Sequence, residues 1–140
     1  GRLTDQTQRQ FGYCGLVACH PSTALVGPMD PDAGRGRAHF IPGDGFGTAC
    51  EGAIADTVEA VLERLGHRVA RNKPFAGGYT TRHYGRPADG VHALQIEINR
   101  GLYMDEDALT RLASLPRIAA QMTEVVFALT AIGQADLAAE

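Results

Sequence analysis

The residues best suited to chemistry in this chain lie close together. The run Asn72-Lys73-Pro74-Phe75-Ala76-Gly77-Gly78-Tyr79-Thr80-Thr81-Arg82-His83-Tyr84-Gly85-Arg86-Pro87 sets cationic, imidazole and phenolic groups in a glycine-punctuated loop, and Val91-His92-Ala93-Leu94-Gln95-Ile96-Glu97-Ile98-Asn99-Arg100 follows it. A guanidinium offers a planar fork that fits a carboxylate through two hydrogen bonds. A phenol or imidazole donates to a developing oxyanion. A carboxylate such as Glu97 takes a proton from an attacking water and returns it to a leaving group. Gly77 and Gly78 let the backbone turn tightly or approach a ligand. Together these suit an anion-binding active site.

Each part also has an ordinary structural explanation. Glu97 fits a solvated strand carboxylate, Arg82 and Arg100 fit surface ion pairs, and for Arg86 the ion pair is the preferred reading. Tyr79 and Tyr84 fit packed rings with locally satisfied hydroxyls. His83 and His92 lack a partner at helical spacing for a metal, and His39 and His67 have no functional context. Gly43-Asp44-Gly45-Phe46-Gly47-Thr48-Ala49-Cys50 lacks the Lys and Ser/Thr of a phosphate loop, so it reads as a structural turn and helix cap.

These groups need a frame. Residues 13–19 form a short apolar run, which predicts a strand buried on both faces. It delivers His20 to its C-terminal end, where open α/β sheets bind ligands. A helix is expected over 50–65, with Ile54, Val58, Val61, Leu62 and Leu65 on one face, a capping box from Thr48 to Glu51, and Gly66 as its stop. Residues 67–71 read as a strand, completing a right-handed strand-helix-strand crossover. Residues 92–99 alternate, with His92, Leu94, Ile96 and Ile98 on one face and Ala93, Gln95, Glu97 and Asn99 on the other. Two helices follow, one over 105–115 capped by Asp105 and one starting near Pro116. The second carries Ile118, Met122, Val125, Val126, Leu129 and Ile132 on its core face, and the 135–140 tail is expected to fray.

With 140 residues, 44% hydrophobic and 21% charged, the chain fits one globular domain, residues 1–140, without repeats or low-complexity tracts. A net charge of −3 and a pI near 5.9 provide no basic field for nucleic acid or anionic lipid, so small molecules or proteins are the expected partners. No apolar stretch is long enough to span a membrane, and the N-terminus has no signal-peptide core. Cys14, Cys19 and Cys50 are odd in number and lack CxxC spacing, which points to a reducing cytoplasm and away from a cysteine zinc site.

Four ordered pieces carry a family resemblance: Asn72 to Tyr79, Thr81-Arg82-His83-Tyr84-Gly85-Arg86-Pro87, His92-Ala93-Leu94-Gln95-Ile96-Glu97, and Leu102-Tyr103-Met104-Asp105-Glu106. With the Gly43 to Cys50 segment, this pattern resembles the C-terminal half of the N-formylglutamate amidohydrolases. The resemblance implies an α/β fold with a mixed, mainly parallel sheet flanked by helices, zinc-carboxypeptidase and aspartoacylase-like (phosphorylase/hydrolase-like), and incomplete in this chain. It implies zinc-dependent hydrolysis of N-formyl-L-glutamate to formate and L-glutamate, a late step of histidine breakdown. Glu97 would be the base, with Arg82, Arg100, Tyr79 and Tyr84 holding an N-acyl amino acid by its carboxylates.

His20 matches the family's zinc-binding histidine. The acid that precedes the family's Cys-His pair is Ala18 here, and the serine after it is Pro21. The other zinc ligands belong to N-terminal motifs that this sequence lacks. A non-catalytic fragment or pseudoenzyme, and a zinc hydrolase of another N-acyl amino acid, are the alternatives. An exposed sheet edge in a half-domain would favour a homo-oligomer that covers it.

Overall fold

The computed structural model describes residues 2–30, 33 and 36–133, so the 135–140 tail expected to fray lies outside the described residues. In chain order the elements are helix α1 (Arg2–Phe11), strands β1 (Cys14–Ser22) and β2 (Phe40–Gly43), helix α2 (Gly52–Arg64), the short helix α3 (Tyr79–Tyr84), strand β3 (Val91–Asn99), the two-residue strands β4 (Met104–Asp105) and β5 (Thr110–Arg111), and helix α4 (Leu115–Thr130). None of the described helices is long and apolar enough to cross a membrane.

The sheet is mixed, as expected, with β3 at its centre in the order β1-β3-β2. β1 runs parallel to β3 from Cys14 opposite Val91 to Ser22 opposite Asn99. β2 runs antiparallel to β3 from Phe40 opposite Ile98 to Gly43 opposite Gln95. β3 is buried along both faces apart from Ile98, which is why a strand with a polar face can be central.

One face of β3 packs on helices. Leu94 and Ile96 meet Ile54, Val58 and Leu62 of α2 and Ile118 and Val125 of α4 in a single core with Phe40. Fully burying an aliphatic side chain of this size stabilises the fold by about 1.5–3 kcal/mol. Removing Leu62, which has no exposed surface, by substitution to Ala costs about 2–5 kcal/mol.

Several expectations change. β1 continues through His20 and Pro21; proline is tolerated because, among the described residues, no strand pairs with the outer edge of β1. Most of β1 is half-buried or exposed, not buried on both faces. Residues 67–71 form no strand, and Val69 makes one parallel bridge to Phe40. The crossover therefore runs from β2 through α2 to Val69, while the parallel neighbour of β1 is β3.

The helix expected over 105–115 is a hairpin of β4 and β5. Asp105 caps its turn by accepting the N–H groups of Asp107 and Ala108 at 3.0 and 2.9 Å. In α4, Val126 is 52% exposed, and Ile132 lies beyond the end of the helix. α1 buries no side chain and so has no apolar stripe to announce it.

Candidate active site

The second face of the sheet holds the candidate groups. The register puts Ala18 opposite Gln95, His20 opposite Glu97, Ile41 opposite Glu97 and Gly43 opposite Gln95, so these side chains share a face. Glu97 is 9% exposed, and its Oε1 lies 3.8 Å from Nδ1 of the half-exposed His20. Gln95 Nε2 donates to the same oxygen at 2.7 Å. Among the described residues, Oε2 of Glu97 accepts no hydrogen bond.

The glycine-punctuated loop lies over this face. A Cβ at Gly43 would sit 2.6 Å from both Ala76 C and Gly77 N, so only glycine permits this approach. Gly45 N–H donates to Ala76 O at 2.8 Å, and Gly78 N–H donates to Gln95 Oε1 at 2.9 Å. Gly77 has φ of 115°, beyond the usual range of other residues, and turns the chain into α3.

Asn72 anchors the start of the loop. Its Oδ1 accepts the Asp44 N–H at 3.0 Å and its Nδ2 donates to Asp44 Oδ1 at 2.7 Å. Asp44 Oδ1 also accepts the Gly47 N–H at 3.0 Å. The Gly43 to Cys50 segment thus forms the expected turn, which the Asn72 motif locks. It does not form the expected cap. Thr48 donates to Gly45 O at 2.7 Å, and the N-cap of α2 is Glu51, which makes no side-chain capping bond.

The substrate-binding candidates occupy two places. Tyr79, Arg82 and Tyr84 lie on α3, a helix within a segment whose glycines suggested a loop. The Tyr79 ring stacks on His83 at 4.8 Å, and Tyr84 meets His83 edge-on at 4.6 Å. Arg82 is exposed and donates from Nη1 to Gly77 O at 3.3 Å. Arg100 stands past the end of β3, with Nε 2.8 Å from Glu106 Oε1. Glu106 Oε2 accepts the Ala24 N–H at 2.7 Å, tying the segment after β1 to the start of the hairpin. Arg86 pairs with Asp5 at 3.8 Å and Asp89 at 3.4 Å.

Two structural roles were missed in the sequence. Arg37 is 5% exposed, donates to Thr23 O and Asp30 Oδ2 at 3.1 and 2.6 Å, and lies 5.6 Å from the centre of the Phe75 ring. No motif marked it, although a buried guanidinium requires such partners. His92 lies on the helical face, where its Nδ1 accepts the Glu51 N–H at 3.3 Å. Burial lowers its pKa below 6.5, against the opposing charge of Glu51; this fits a neutral ring acting as an acceptor. An apolar groove of about 360 Å³ also adjoins His92 and Leu94, away from Glu97.

Among the described residues no three His, Cys, Asp or Glu side chains converge to hold a metal. Catalytic zinc takes three protein ligands and an open position. The described donors therefore do not by themselves fit the zinc that the resemblance implies. Ala18, opposite Gln95, supplies no carboxylate beside His20.

The family model for N-formylglutamate amidohydrolase matches residues 1–104. N-formylglutamate deformylase of Pseudomonas aeruginosa is 39% identical over 101 residues, covering 71% of this chain and 36% of that protein. The N-formylglutamate deformylase of Pseudomonas putida is 34% identical over 107 residues, covering 75% of this chain and 39% of that protein. The crystal structure of N-formylglutamate amidohydrolase from Ralstonia eutropha JMP134 superposes with a TM-score of 0.78 at 31% identity, covering 90% of this chain and 46% of that one. The chain spans less than half the length of each of these relatives.

Proposed function

The chain belongs to the N-formylglutamate amidohydrolase family, and on that premise we propose that it carries the proton-transfer and carboxylate-binding side of a site that hydrolyses the formamide of N-formyl-L-glutamate to formate and L-glutamate. The carrying observation is the position of Glu97: nearly buried, 3.8 Å from His20, and held through one oxygen by Gln95 beneath the Gly77-Gly78 turn.

In the proposed reaction the water oxygen bonds to the formyl carbon and Glu97 takes a water proton. The carbon–nitrogen bond then breaks as that proton passes to the departing nitrogen. Gln95 keeps Oε1 as an acceptor, so Oε2 exchanges the proton. Arg82 is the proposed partner of a substrate carboxylate, flanked by Tyr79 and Tyr84. Arg100 is the second, and a substrate there would compete with Glu106. Zinc enters the proposal only with donors from beyond the described residues, because His20 is a single candidate ligand.

Ala18 opposite Gln95 and the single candidate ligand favour a second reading, a non-catalytic member that binds small carboxylates. The test measures formate release from N-formyl-L-glutamate and acetate release from N-acetyl-L-glutamate, with zinc supplied and binding followed by calorimetry. Formate release supports the main reading, and preferential acetate release shifts the substrate to another N-acyl amino acid. Binding without either product supports the second reading.

A further inference from the structure

β1 is the outermost strand of the sheet among the described residues. Among the described residues no strand pairs with its outer edge, yet Leu16, Val17, Ala18 and Cys19 are apolar on both faces, the composition of a strand with neighbours on each side. Cys14 N–H points inward, donating to Gly90 O at 2.8 Å. Backbone groups alternate in direction along a strand, so the amides of Gly15, Val17 and Cys19 point outward. Pro21, next in that series, has no N–H, and the row of donors ends there. Beside the edge runs the 360 Å³ groove, lined by Leu16, Val17, Ile54, Leu94, Val126 and Leu129.

Each relative is more than twice as long as the part of it that is matched here. This chain spans 36% and 39% of the two Pseudomonas deformylases and 46% of the Ralstonia chain whose fold it shares. More than half of each relative is polypeptide with no matched counterpart here. We propose that the outer edge of β1 and the adjoining groove are a docking surface for polypeptide of that kind. An extended segment adds a strand on the outward amides of Gly15, Val17 and Cys19, and its aliphatic side chains fill the groove beside Val126. The groove is apolar, so the segment is one that is buried in its own family fold and not a charged peptide.

The test co-expresses the 140-residue chain with the part of the Pseudomonas aeruginosa deformylase outside the matched region. The two polypeptides are expected to co-purify. Hydrogen exchange at Gly15, Val17 and Cys19 should slow about tenfold or more relative to the chain alone, with no change in the β4-β5 hairpin. Val126→Glu, at a half-exposed helical position, should abolish co-purification without altering the thermal unfolding of the chain alone. Failure to co-purify, or unchanged exchange at the three amides within a complex, overturns the proposal. So does a self-associated chain whose dimer is lost with Val126→Glu, because a second copy would then be the occupant. These readouts do not require turnover, so they stand apart from the fate of the catalytic reading.

Discussion

Gln95 donates from Nε2 to Glu97 Oε1 at 2.7 Å while its own Oε1 accepts the Gly78 N–H at 2.9 Å. The backbone donor fixes which end of the amide faces the carboxylate, so one buried side chain links the loop to the proposed base. Gln95→Leu leaves both partners without Gln95 and should lower unfolding free energy by about 2–4 kcal/mol. Urea denaturation measures this, and a loss below about 0.5 kcal/mol would show that the link is unimportant to the fold.

Asp44 is 2% exposed and binds both Asn72 and the Gly47 amide. Asp44→Ala should cost about 2–4 kcal/mol, whereas Thr48→Ala should cost about 0.5 kcal/mol, because the Thr48 hydroxyl bonds only within its turn and does not cap α2. Comparable losses from the two substitutions would restore the capping box read from the sequence.

The His92 ring is a neutral acceptor whose pKa burial depresses below 6.5. The unfolded chain therefore takes up the proton first as pH falls, and stability declines from about pH 6.5 until the folded ring also titrates. His39 shifts in the same direction, chiefly through burial, with Arg68 and His67 adding to it. His92→Gln should flatten the loss of stability between about pH 7.5 and 5.5 without removing it. Identical pH slopes for the two proteins would rule out this role.

Cys19 is exposed, while Cys50 is buried and its thiol is pushed up to about 12, mainly by burial and then by Asp44. At about pH 8 only about one Cys50 in ten thousand is a thiolate. Iodoacetamide followed by peptide mass spectrometry should label Cys19 well before Cys50, and equal labelling would contradict the packing around α2.

The sequence revealed what local pattern and motif determine. The apolar faces of α2 and α4 and the alternation along β3 have the periods their elements require, and the ordered motifs point to the family without any geometry. The hairpin at Met104–Arg111 was not legible, because its helix-compatible residues are turned by Leu109 at φ of 54° and held by the Asp105 carboxylate. α3 was hidden because its six residues bury only Thr81. The candidate groups stood out by residue type, but their connections did not: nothing in the sequence joins Gln95 to Gly78, Arg100 to Glu106, or Arg37 to Phe75. Those are contacts between segments separated along the chain, which no local pattern records.

The most direct test of the central claim is formate release from N-formyl-L-glutamate by the chain and by its Glu97→Gln variant. Both are assayed with zinc, with and without the unmatched portion of the Pseudomonas aeruginosa deformylase. The amide carbonyl introduced by this substitution still accepts from Gln95, so the variant should unfold like the unsubstituted chain while its rate falls by about 10²–10⁴-fold. Equal formate release by the two proteins, or none from the unsubstituted chain in either condition, would contradict the role assigned to Glu97.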